Sequence, residues 1–376
     1  MITLKIWHGP MRTTLALPLR EAEIQKELVK AFRTAPFKVT ADNVSPEALA
    51  MLNGKEIDLD ELNFLAKSLD RFTPYEQEQF LAAVQVEQPS DLKSLINLSF
   101  NMERYTLVQN VTDLAAVGRK YLLNKMGALP ASEIDKLDFE QAGRDLLTSG
   151  NGTPTICGLL FASKDVPYRE VYHGATFPYC EPRRDIIAVA KMEYGSKTEY
   201  LYLPEDELAI IKAARRMGAP SPDMCRVAFT DFMLDDSMWT QHLETTLQGH
   251  GLGAANELAD AFPKTTEGLE KLAAVVEYAD VSTSGEVMRI ARHLDDFVFI
   301  KDAEMDEDVG QHFVDHHSEY SASPALADYI DFDALGSQIS EDREGQFVDG
   351  GFVCMDSGCS LEMILDDDLD LAMRGI

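Results

Sequence analysis

The sequence predicts an α+β fold made of two homologous lobes, each with small sheet and helix subdomains around a helical centre. Short segments of alternating apolar residues open each half, as β-strands do, and apolar stripes at helical spacing fill the middle. Similar segments also recur in the same order about 192 residues apart. We place lobe 1 at residues 1–152, lobe 2 at 153–356 and an acidic C-terminal helix or tail at 357–376.

The internal repeat is the observation that divides the chain. Five separate matches keep one order and a nearly constant offset, between 186 and 193 residues, which chance rarely produces. The matched segments are 15–18 with 201–204, 63–66 with 256–259, 81–84 with 272–275, 95–118 with 287–310 and 138–143 with 331–336. Two copies of one ancestral unit are therefore predicted.

The elements of lobe 1 follow from its residue pattern. Residues 3–7 and 13–17 alternate between apolar and polar and predict two strands, after which Pro18 is predicted to lie at the start of a helix. Thr73, with Glu76 three residues later, has the residues of a helix N-cap. Further helices are predicted around 62–69, 80–84 and 92–98, and after Asp113.

Lobe 2 ends in a predicted hairpin. Residues 346–353 form two apolar runs around Asp349-Gly350, a dipeptide that favours a tight turn between antiparallel strands. Lobe 1 has no clear counterpart in its sequence, because residues 150–152 there run on as a linker. The two lobes are therefore expected to differ at this point.

Charge is unevenly distributed along the chain. There are 34 Lys and Arg residues against 64 Asp and Glu, which gives a net charge of −30 at pH 7. Residues 1–150 hold 17 basic and 21 acidic residues, whereas residues 301–350 hold 2 basic and 14 acidic. Because nucleic-acid affinity depends on Lys and Arg displacing counterions, this charge excludes ordinary DNA or RNA binding and docking on anionic membranes. A basic protein partner is compatible with it.

The remaining composition favours a cytoplasmic protein. The longest apolar run, around residues 156–162, is far shorter than the about 20 residues that a membrane-spanning helix needs. The N-terminus has no apolar signal-peptide segment. The five cysteines are scattered and form no CxxC pair, which favours a reducing compartment over a disulfide framework.

Segments in both lobes carry a family resemblance. They are 61–66, 95–105, 118–121 and 137–144 in lobe 1, and 326–336 and the hairpin after Gly345 in lobe 2. These segments resemble the ArdA antirestriction family, and the resemblance covers most of both lobes.

The resemblance implies an elongated, acidic, cytoplasmic protein of the kind carried on mobile genetic elements. Members of the family act as dimers and mimic the phosphates of bent duplex DNA with ordered carboxylates, so that they occupy the DNA site of type I restriction–modification enzymes. The tandem lobes of this chain predict a monomeric pseudo-dimer or a homodimer. Lobe 1 is nearly neutral, so an alternative stays open: an acidic adaptor of a mobile element that binds a protein partner without mimicry.

The candidate partner-binding residues are carboxylates of lobe 2. They alternate with apolar residues, so they belong to folded elements and not to a disordered acidic tail. They are Asp295, Asp296, Asp302, Glu304, Asp306, Glu307, Asp308, Asp315, Glu319, Asp328, Asp331 and Asp333. A solvated acidic surface is the alternative interpretation. Asp331 has the weakest claim, because Asp138 occupies the same place in lobe 1 and both residues suit a helix cap.

No residue set in the sequence predicts catalysis, and no cofactor is expected. His312 and His316, with His317 beside them, share a helix face as metal ligands do, but a polar helix face among acids is the interpretation that the sequence favours. Residues 249–253 are glycine-rich without the Lys of a P-loop, so a flexible connector is predicted. Cys180 and His173 are a nucleophile and a base that nothing in the sequence orients. We therefore predict a binding protein with no metal, not an enzyme.

Overall fold

The computed structural model describes residues 1–36, 38–126, 134–182, 186–234, 237–320, 329–356 and 360–366. It mixes helices with several small sheets, so the predicted α+β class is confirmed. The chain divides into two compact units. Unit 1 comprises Met1–Glu181, Met192–Tyr200 and Asp206–Arg226, and unit 2 comprises Pro182–Lys191, Leu201–Glu205 and Val227–Ile376. The lobe boundaries given above stay a prediction.

Unit 1 opens with an antiparallel sheet. Its strands are β1 (Ile2–His8), β2 (Met11–Leu17), β3 (Lys38–Ser45) and β4 (Glu56–Asp58). They lie in the order β2-β1-β3-β4. Ile2, Leu4 and Ile6 alternate onto one face and are buried there. The two strands predicted from residues 3–7 and 13–17 are therefore confirmed.

Four helices follow in this part of unit 1. They are α1 (Glu21–Phe32), α2 (Leu59–Asp70), α3 (Pro74–Glu87) and α4 (Leu92–Ser99). The predicted cap holds α3: the Thr73 hydroxyl accepts from the Glu76 N–H at 3.3 Å, and the Glu76 carboxylate accepts from the Thr73 N–H at 2.8 Å. Leu62, Leu65 and Leu95 are fully buried, so the predicted apolar stripes form the core.

A second small sheet and two helices continue unit 1. These elements are β5 (Tyr105–Val108), α5 (Leu114–Met126), α6 (Phe139–Thr148), β6 (Thr153–Thr155) and β7 (Gly158–Ala162). The strands lie in the order β5-β7-β6. The helices α5 and α6 cross at Gly118 and Gly143. A Cβ on Gly118 would lie 1.8 Å from the Phe139 carbonyl oxygen, so only glycine permits this approach.

The middle of the chain supplies another sheet and one helix. They are β8 (Ala188–Tyr194), β9 (Lys197–Leu203), α7 (Glu207–Met217) and β10 (Arg226–Phe232), with the strand order β10-β8-β9. The Asp206 carboxylate caps α7 by accepting from the Ala209 N–H at 2.9 Å. Gly218, with φ of 85°, ends the helix in the left-handed conformation that favours glycine.

From α8 onward, unit 2 repeats the order of helices and strands that unit 1 has from α2 onward. Its elements are α8 (Ser237–Ala261), α9 (Thr266–Tyr278), α10 (Ser284–Arg292), β11 (Phe297–Lys301), α11 (Asp306–His316), α12 (Phe332–Asp342), β12 (Gln346–Val348), β13 (Gly351–Met355) and α13 (Leu361–Leu365). The strands lie in the order β11-β13-β12, as in the second sheet of unit 1. The hairpin around Asp349-Gly350 is confirmed.

The same hydrogen-bonded clamp occurs once in each unit. The Asn63 side chain accepts from the Leu19 N–H at 3.1 Å and donates to the Leu19 carbonyl oxygen at 2.9 Å. Asn256 makes both bonds with Glu205, each at 2.8 Å. Each clamped residue directly follows a proline. Identical use of matched residues supports the duplication that the sequence predicts.

The helix crossing is also repeated. In unit 2, α11 and α12 meet at Gly310 and Gly336, and a Cβ on Gly310 would lie 2.1 Å from the Phe332 carbonyl oxygen. Val117 of α5 and Val309 of α11 precede the first glycine of each pair, and both are buried. The two crossings therefore have one packing geometry, with an offset of 192 between Gly118 and Gly310.

Three sequence expectations are corrected by the structure. Lobe 1 does have a hairpin counterpart, β6 with β7, which the sequence hid because the turn at 156–157 lacks the Asp-Gly signal. The buried positions of α3 and α9 coincide when the two helices are aligned at an offset of 192 residues. The match of 81–84 with 272–275, which has an offset of 191, is therefore one residue out of register. The flexible connector at 249–253 is wrong, because Gly251, with φ of 85°, kinks α8 while helix continues on both sides.

Among the helices of the described ranges, none is both long and apolar enough to span a membrane.

Candidate functional site

Five of the predicted acids lie together where β11 leads into α11. We call them the α11 acids: Asp302, Glu304, Asp306, Glu307 and Asp308. All except Asp306 are exposed. Asp302 has φ of 61°, and its N–H donates to the Gly350 carbonyl oxygen at 2.9 Å, which fixes the loop after the strand. The segment is therefore an ordered, acidic loop and helix start.

The fold uses part of this acidity at the helix N-terminus. The Asp308 carboxylate accepts from the N–H groups of Glu304 at 2.9 Å and Met305 at 3.2 Å, which satisfies donors that the helix leaves open. Asp306 is half-buried, and its carboxylate accepts from the Ser340 hydroxyl at 3.4 Å. Acids in the first turn also interact favourably with the helix dipole. Within the described part of the chain, the carboxylates of Asp302, Glu304 and Glu307 accept no such hydrogen bond.

Unit 1 forms the same loop and helix without these acids. The offset of 192 between the glycine crossings identifies their counterparts, which are Asn110, Thr112, Leu114, Ala115 and Ala116. In unit 1 the helix is capped by a different residue, since the Asp113 carboxylate accepts from the Ala116 N–H at 2.9 Å. The fold thus needs a cap at this position but does not need five acids.

The next predicted acids are spread over neighbouring elements. Asp295 and Asp296 lie in a short 3-10 turn before β11, and the Asp296 carboxylate is 2.9 Å from His293 Nδ1. The Asp315 carboxylate accepts from the Gln311 side chain at 2.9 Å. Glu319 lies 3.5 Å from the Arg343 guanidinium. These residues flank the α11 acids along the chain, and three of them have polar neighbours within unit 2.

Two of the last predicted acids, Asp331 and Asp333, lie at the start of α12. Asp331 caps this helix by accepting from the Ala334 N–H at 3.1 Å, and Asp138 caps α6 by accepting from the Gln141 N–H at 2.9 Å. Its cap role is therefore common to both units, as the sequence suggested. Asp333 is exposed in the first turn of α12. Asp328 lies outside the described residues.

The histidine cluster has the geometry of a polar helix face. The rings of His312 and His316 stack at 4.3 Å, and His317 stacks on Phe313 at 4.3 Å. Burial, and then the neighbouring His316 and His317, lower the pKa of His312. Within the described ranges, no group of three or more His, Cys, Asp or Glu side chains has metal-site geometry.

The two residues of the candidate nucleophile pair, Cys180 and His173, differ in burial and in their neighbours. Cys180 is buried, with its Sγ 3.8 Å from the Ser68 hydroxyl. His173 is exposed, and its Nδ1 lies 3.8 Å from the Glu170 carboxylate. Each residue therefore has its own neighbours in unit 1.

Sequence reasoning missed a buried ionic network in unit 1. The Lys212 ammonium of α7 lies 2.7 Å from the Glu21 carboxylate of α1 and 2.6 Å from the Asp60 carboxylate of α2. Arg216, one turn later, lies 3.2 Å from Asp60 and pairs with Glu199 of β9. The spacing of Lys212 and Arg216 places both on one helix face, but the sequence does not show which distant acids they meet.

Glu199 is the most buried carboxylate of this network. Its side chain is 2% exposed. Arg216 donates to Oε1, at 2.8 Å from Nε, while Oε2 is buried without a hydrogen-bond partner. Burial raises the pKa of Glu199 to about 7, although Arg216 acts in the opposite direction. The Arg216 guanidinium also stacks on the Phe177 ring at 4.5 Å.

The other charges of the network behave differently. Burial acts to raise the pKa of Glu21, but the Lys212 and Lys67 ammonium groups outweigh it and hold that pKa below its usual range. Burial acts to lower the pKa of Lys212, but Glu21 and Asp60 outweigh it and raise that pKa. The network therefore joins three helices and a strand, and Glu199 is the member whose pKa burial raises to about 7.

Comparison with known proteins adds no identification. No protein-family model matches the chain, and no curated protein sequence matches it. Membership of the ArdA family stays a prediction from the sequence segments described above.

Proposed function

We propose that this protein is an antirestriction protein of the ArdA kind, which presents carboxylates to the basic DNA-binding groove of a DNA-processing enzyme. A type I restriction–modification enzyme is the expected partner. The chain binds that enzyme in place of DNA and does not itself bind nucleic acid or a membrane. It acts in the cytoplasm, without a catalytic step or a cofactor.

One observation carries the proposal: the α11 acids have uncharged counterparts in a unit of the same fold. A loop and helix that fold with Asn, Thr and Ala at the matching positions do not require acids at 302, 304 and 307. Asp308 is different, because it makes the cap that Asp113 makes in unit 1. Excess like charge costs stability through mutual repulsion. We infer that the acids of unit 2 serve a partner outside the chain.

Electrostatic complementarity between these carboxylates and a basic groove would drive the binding of such a partner. Carboxylates held on an ordered loop and helix lose little freedom on binding, and charge complementarity speeds diffusional encounter. A groove that binds duplex DNA is lined with Lys and Arg and selects for a dense array of anions. The exposed α11 acids supply such an array in unit 2.

Competition against duplex DNA tests this proposal. A fluorescently labelled duplex that carries the recognition site is bound to a type I restriction–modification enzyme, and the protein is added at increasing concentration. We expect displacement of the duplex at low salt, which weakens steeply as salt rises because screening shortens the Debye length from about 10 Å at 0.1 M to about 3 Å at 1 M. Undiminished DNA binding at every protein concentration would contradict the proposal for that enzyme class.

The near neutrality of residues 1–150, with 17 basic and 21 acidic residues, favours a second candidate. Under it the chain is an adaptor that binds a protein partner of the same mobile element without imitating DNA. Unit 1 or an apolar surface would then carry the contact, and the complex would survive high salt. Pull-down of the partner at low and high salt separates the two candidates, since only mimicry predicts loss at high salt.

A further inference from the structure

Unit 2 contains a cleft that shares one residue, Asp302, with the α11 acids. Its volume is about 520 Å³, and it lies between α9, the end of β11 and the turn of the β12–β13 hairpin. The apolar residues that line it form its floor, and they are Met238, Ala273, Ala274, Val276, Val281 and Phe299. A volume of this size holds a small molecule or one to three side chains of a peptide.

The rim of the cleft is acidic. The residues that form it are Glu270, Glu277, Asp280, Asp302 and Asp349. Lys301 is the basic residue of this rim, and its ammonium is held by the Glu270 carboxylate at 2.7 Å. The cleft therefore combines an apolar floor with a net negative edge.

The corresponding surface of unit 1 keeps hydrogen bonds of the rim and the acid matched to Glu270, but it replaces the acids matched to Glu277, Asp280 and Asp302 with amides. The Glu277 carboxylate accepts from the Asp349 N–H at 3.1 Å, and in unit 1 the Gln85 amide oxygen accepts from the Ile156 N–H at 3.1 Å. These bonds tie the helix to the hairpin turn in each unit. An amide thus performs the structural task of Glu277.

The other rim positions follow the same pattern. At the offset of 192, Lys301 and Glu270 correspond to Gln109 and Glu78 of unit 1. The Lys301 ammonium donates to Glu270, and the Gln109 amide donates to Glu78. Asp280 corresponds to Gln88, and both residues have the left-handed backbone conformation, with φ of 51° and 47°. The negative charges at 277, 280 and 302 of the rim are therefore not needed to build this part of the fold.

The floor differs between the units as well. Ala273 of unit 2 corresponds to Leu81 of unit 1, and both residues are half-buried. A larger side chain at this position fills space that alanine leaves open. Unit 2 therefore carries both features of the cleft, the open floor and the charged rim, where unit 1 carries leucine and amides.

We propose that this cleft binds a short segment of a protein partner in which an apolar side chain is flanked by Arg or Lys. The apolar side chain is buried against the floor, and the flanking cations meet the carboxylates of the rim. Phosphate-bearing ligands are repelled by the same rim. The inference goes beyond the proposed function, because an apolar contact has no counterpart in a phosphate array.

A peptide titration tests the proposal without any DNA-binding enzyme. The probe is acetyl-Arg-Leu-Arg-Leu-Arg-amide, titrated into the full chain at low salt and followed by calorimetry. We expect saturable binding, and weaker binding by acetyl-Arg-Gly-Arg-Gly-Arg-amide, which keeps the charge and lacks the apolar side chains. No binding of the leucine peptide, or equal binding of both peptides, would overturn the proposal.

Two variants locate the contact. The triple variant Glu277→Gln, Asp280→Asn, Asp349→Asn keeps the shape of the rim and removes charge, so we expect affinity to fall on the order of tenfold. Ala273→Leu keeps every charge and places the unit 1 residue in the floor, so we expect loss of the preference for the leucine peptide. Thermal unfolding followed by circular dichroism confirms that each variant is folded.

Unchanged peptide binding in both folded variants would show that the peptide binds elsewhere. Neither variant alters Glu304, Asp306, Glu307 or Asp308. Loss of DNA competition and loss of peptide binding are therefore separate results, and either proposal can fail alone.

Discussion

At the scale of single residues, the unusual feature is a carboxylate buried in unit 1. Burial raises the pKa of Glu199 from its ordinary value of 4.5 to about 7. Between those values the folded state holds a proton that the unfolded state has released. The protonated group therefore contributes stability at low pH that is lost as the pH rises through about 7.

Glu199→Gln removes this pH dependence, because the amide stays uncharged at every pH. Raising the pH from about 5 to about 8 should lower the unfolding free energy of the parent, relative to the variant, by up to about 3 kcal/mol. Urea unfolding of both proteins at the two pH values measures the difference. Glu207→Gln, an exposed change on α7, is the control and should follow the parent. A parent and Glu199→Gln variant that change by the same amount would contradict the assignment.

The partners of Lys212 give a second prediction at this scale. Its ammonium contacts Glu21 and Asp60, and its side chain is 13% exposed. Lys212→Met leaves both acids without this cation, so we expect a loss of about 3 kcal/mol in unfolding free energy. Lys30→Met on α1, where the side chain is 75% exposed, is the matched control and should cost under about 0.5 kcal/mol. Equal effects of the two changes in urea unfolding would count against the network.

At the scale of elements, the two glycine crossings define the packing of the repeated helix pairs. Gly310→Ala places a Cβ 2.1 Å from a backbone oxygen of α12, so α11 and α12 must separate. We expect a destabilisation of about 3 kcal/mol. Gly118→Ala should cost a similar amount, because its Cβ would meet the α6 backbone at 1.8 Å.

Gly253→Ala is the control for this prediction. Gly253 lies in α8, and a Cβ there meets nothing within 4 Å. Alanine is the better helix former by about 1 kcal/mol, so the change should be neutral or stabilising. A thermal melt of Gly310→Ala that matches that of Gly253→Ala would refute the close crossing.

The sequence predicted most of these elements because their signals are local. Helical stripes, the Thr73 cap and the Asp349-Gly350 turn depend on residues a few positions apart. The β6–β7 hairpin escaped prediction because its turn residues, Ile156 and Cys157, have no turn preference. The sequence aligns α9 with α3 one residue out of register, because residues 81–84 and 272–275 are identical. The correct alignment depends on which side chains are buried, and only the folded chain shows this.

The part of the candidate site that the sequence predicts is also local. The α11 acids are close in sequence, so their density was visible before the fold was known. The acidic rim of the cleft draws residues from α9, β11 and the hairpin turn, which are up to 79 positions apart. Only tertiary structure brings them together.

At the scale of the whole molecule, the charge limits what the chain can imitate. Residues 201–376 hold 11 basic and 37 acidic residues, a net charge of −26. Duplex DNA carries one charge per about 1.7 Å, so this excess equals about 44 Å of duplex, or about 13 base pairs. We therefore expect competition for a short DNA site, carried by the second half of the chain.

The most direct test replaces the α11 acids together. The variant is Asp302→Asn, Glu304→Gln, Asp306→Asn, Glu307→Gln and Asp308→Asn, and its control neutralises five other exposed acids of unit 2 to the same net charge. The control positions are Glu244, Asp260, Glu267, Glu341 and Glu362. The measurement is displacement of labelled duplex from a type I restriction–modification enzyme at low salt. We predict that the α11 variant loses competition while the control retains most of it. Equal competition by the α11 variant and the parent would contradict the account.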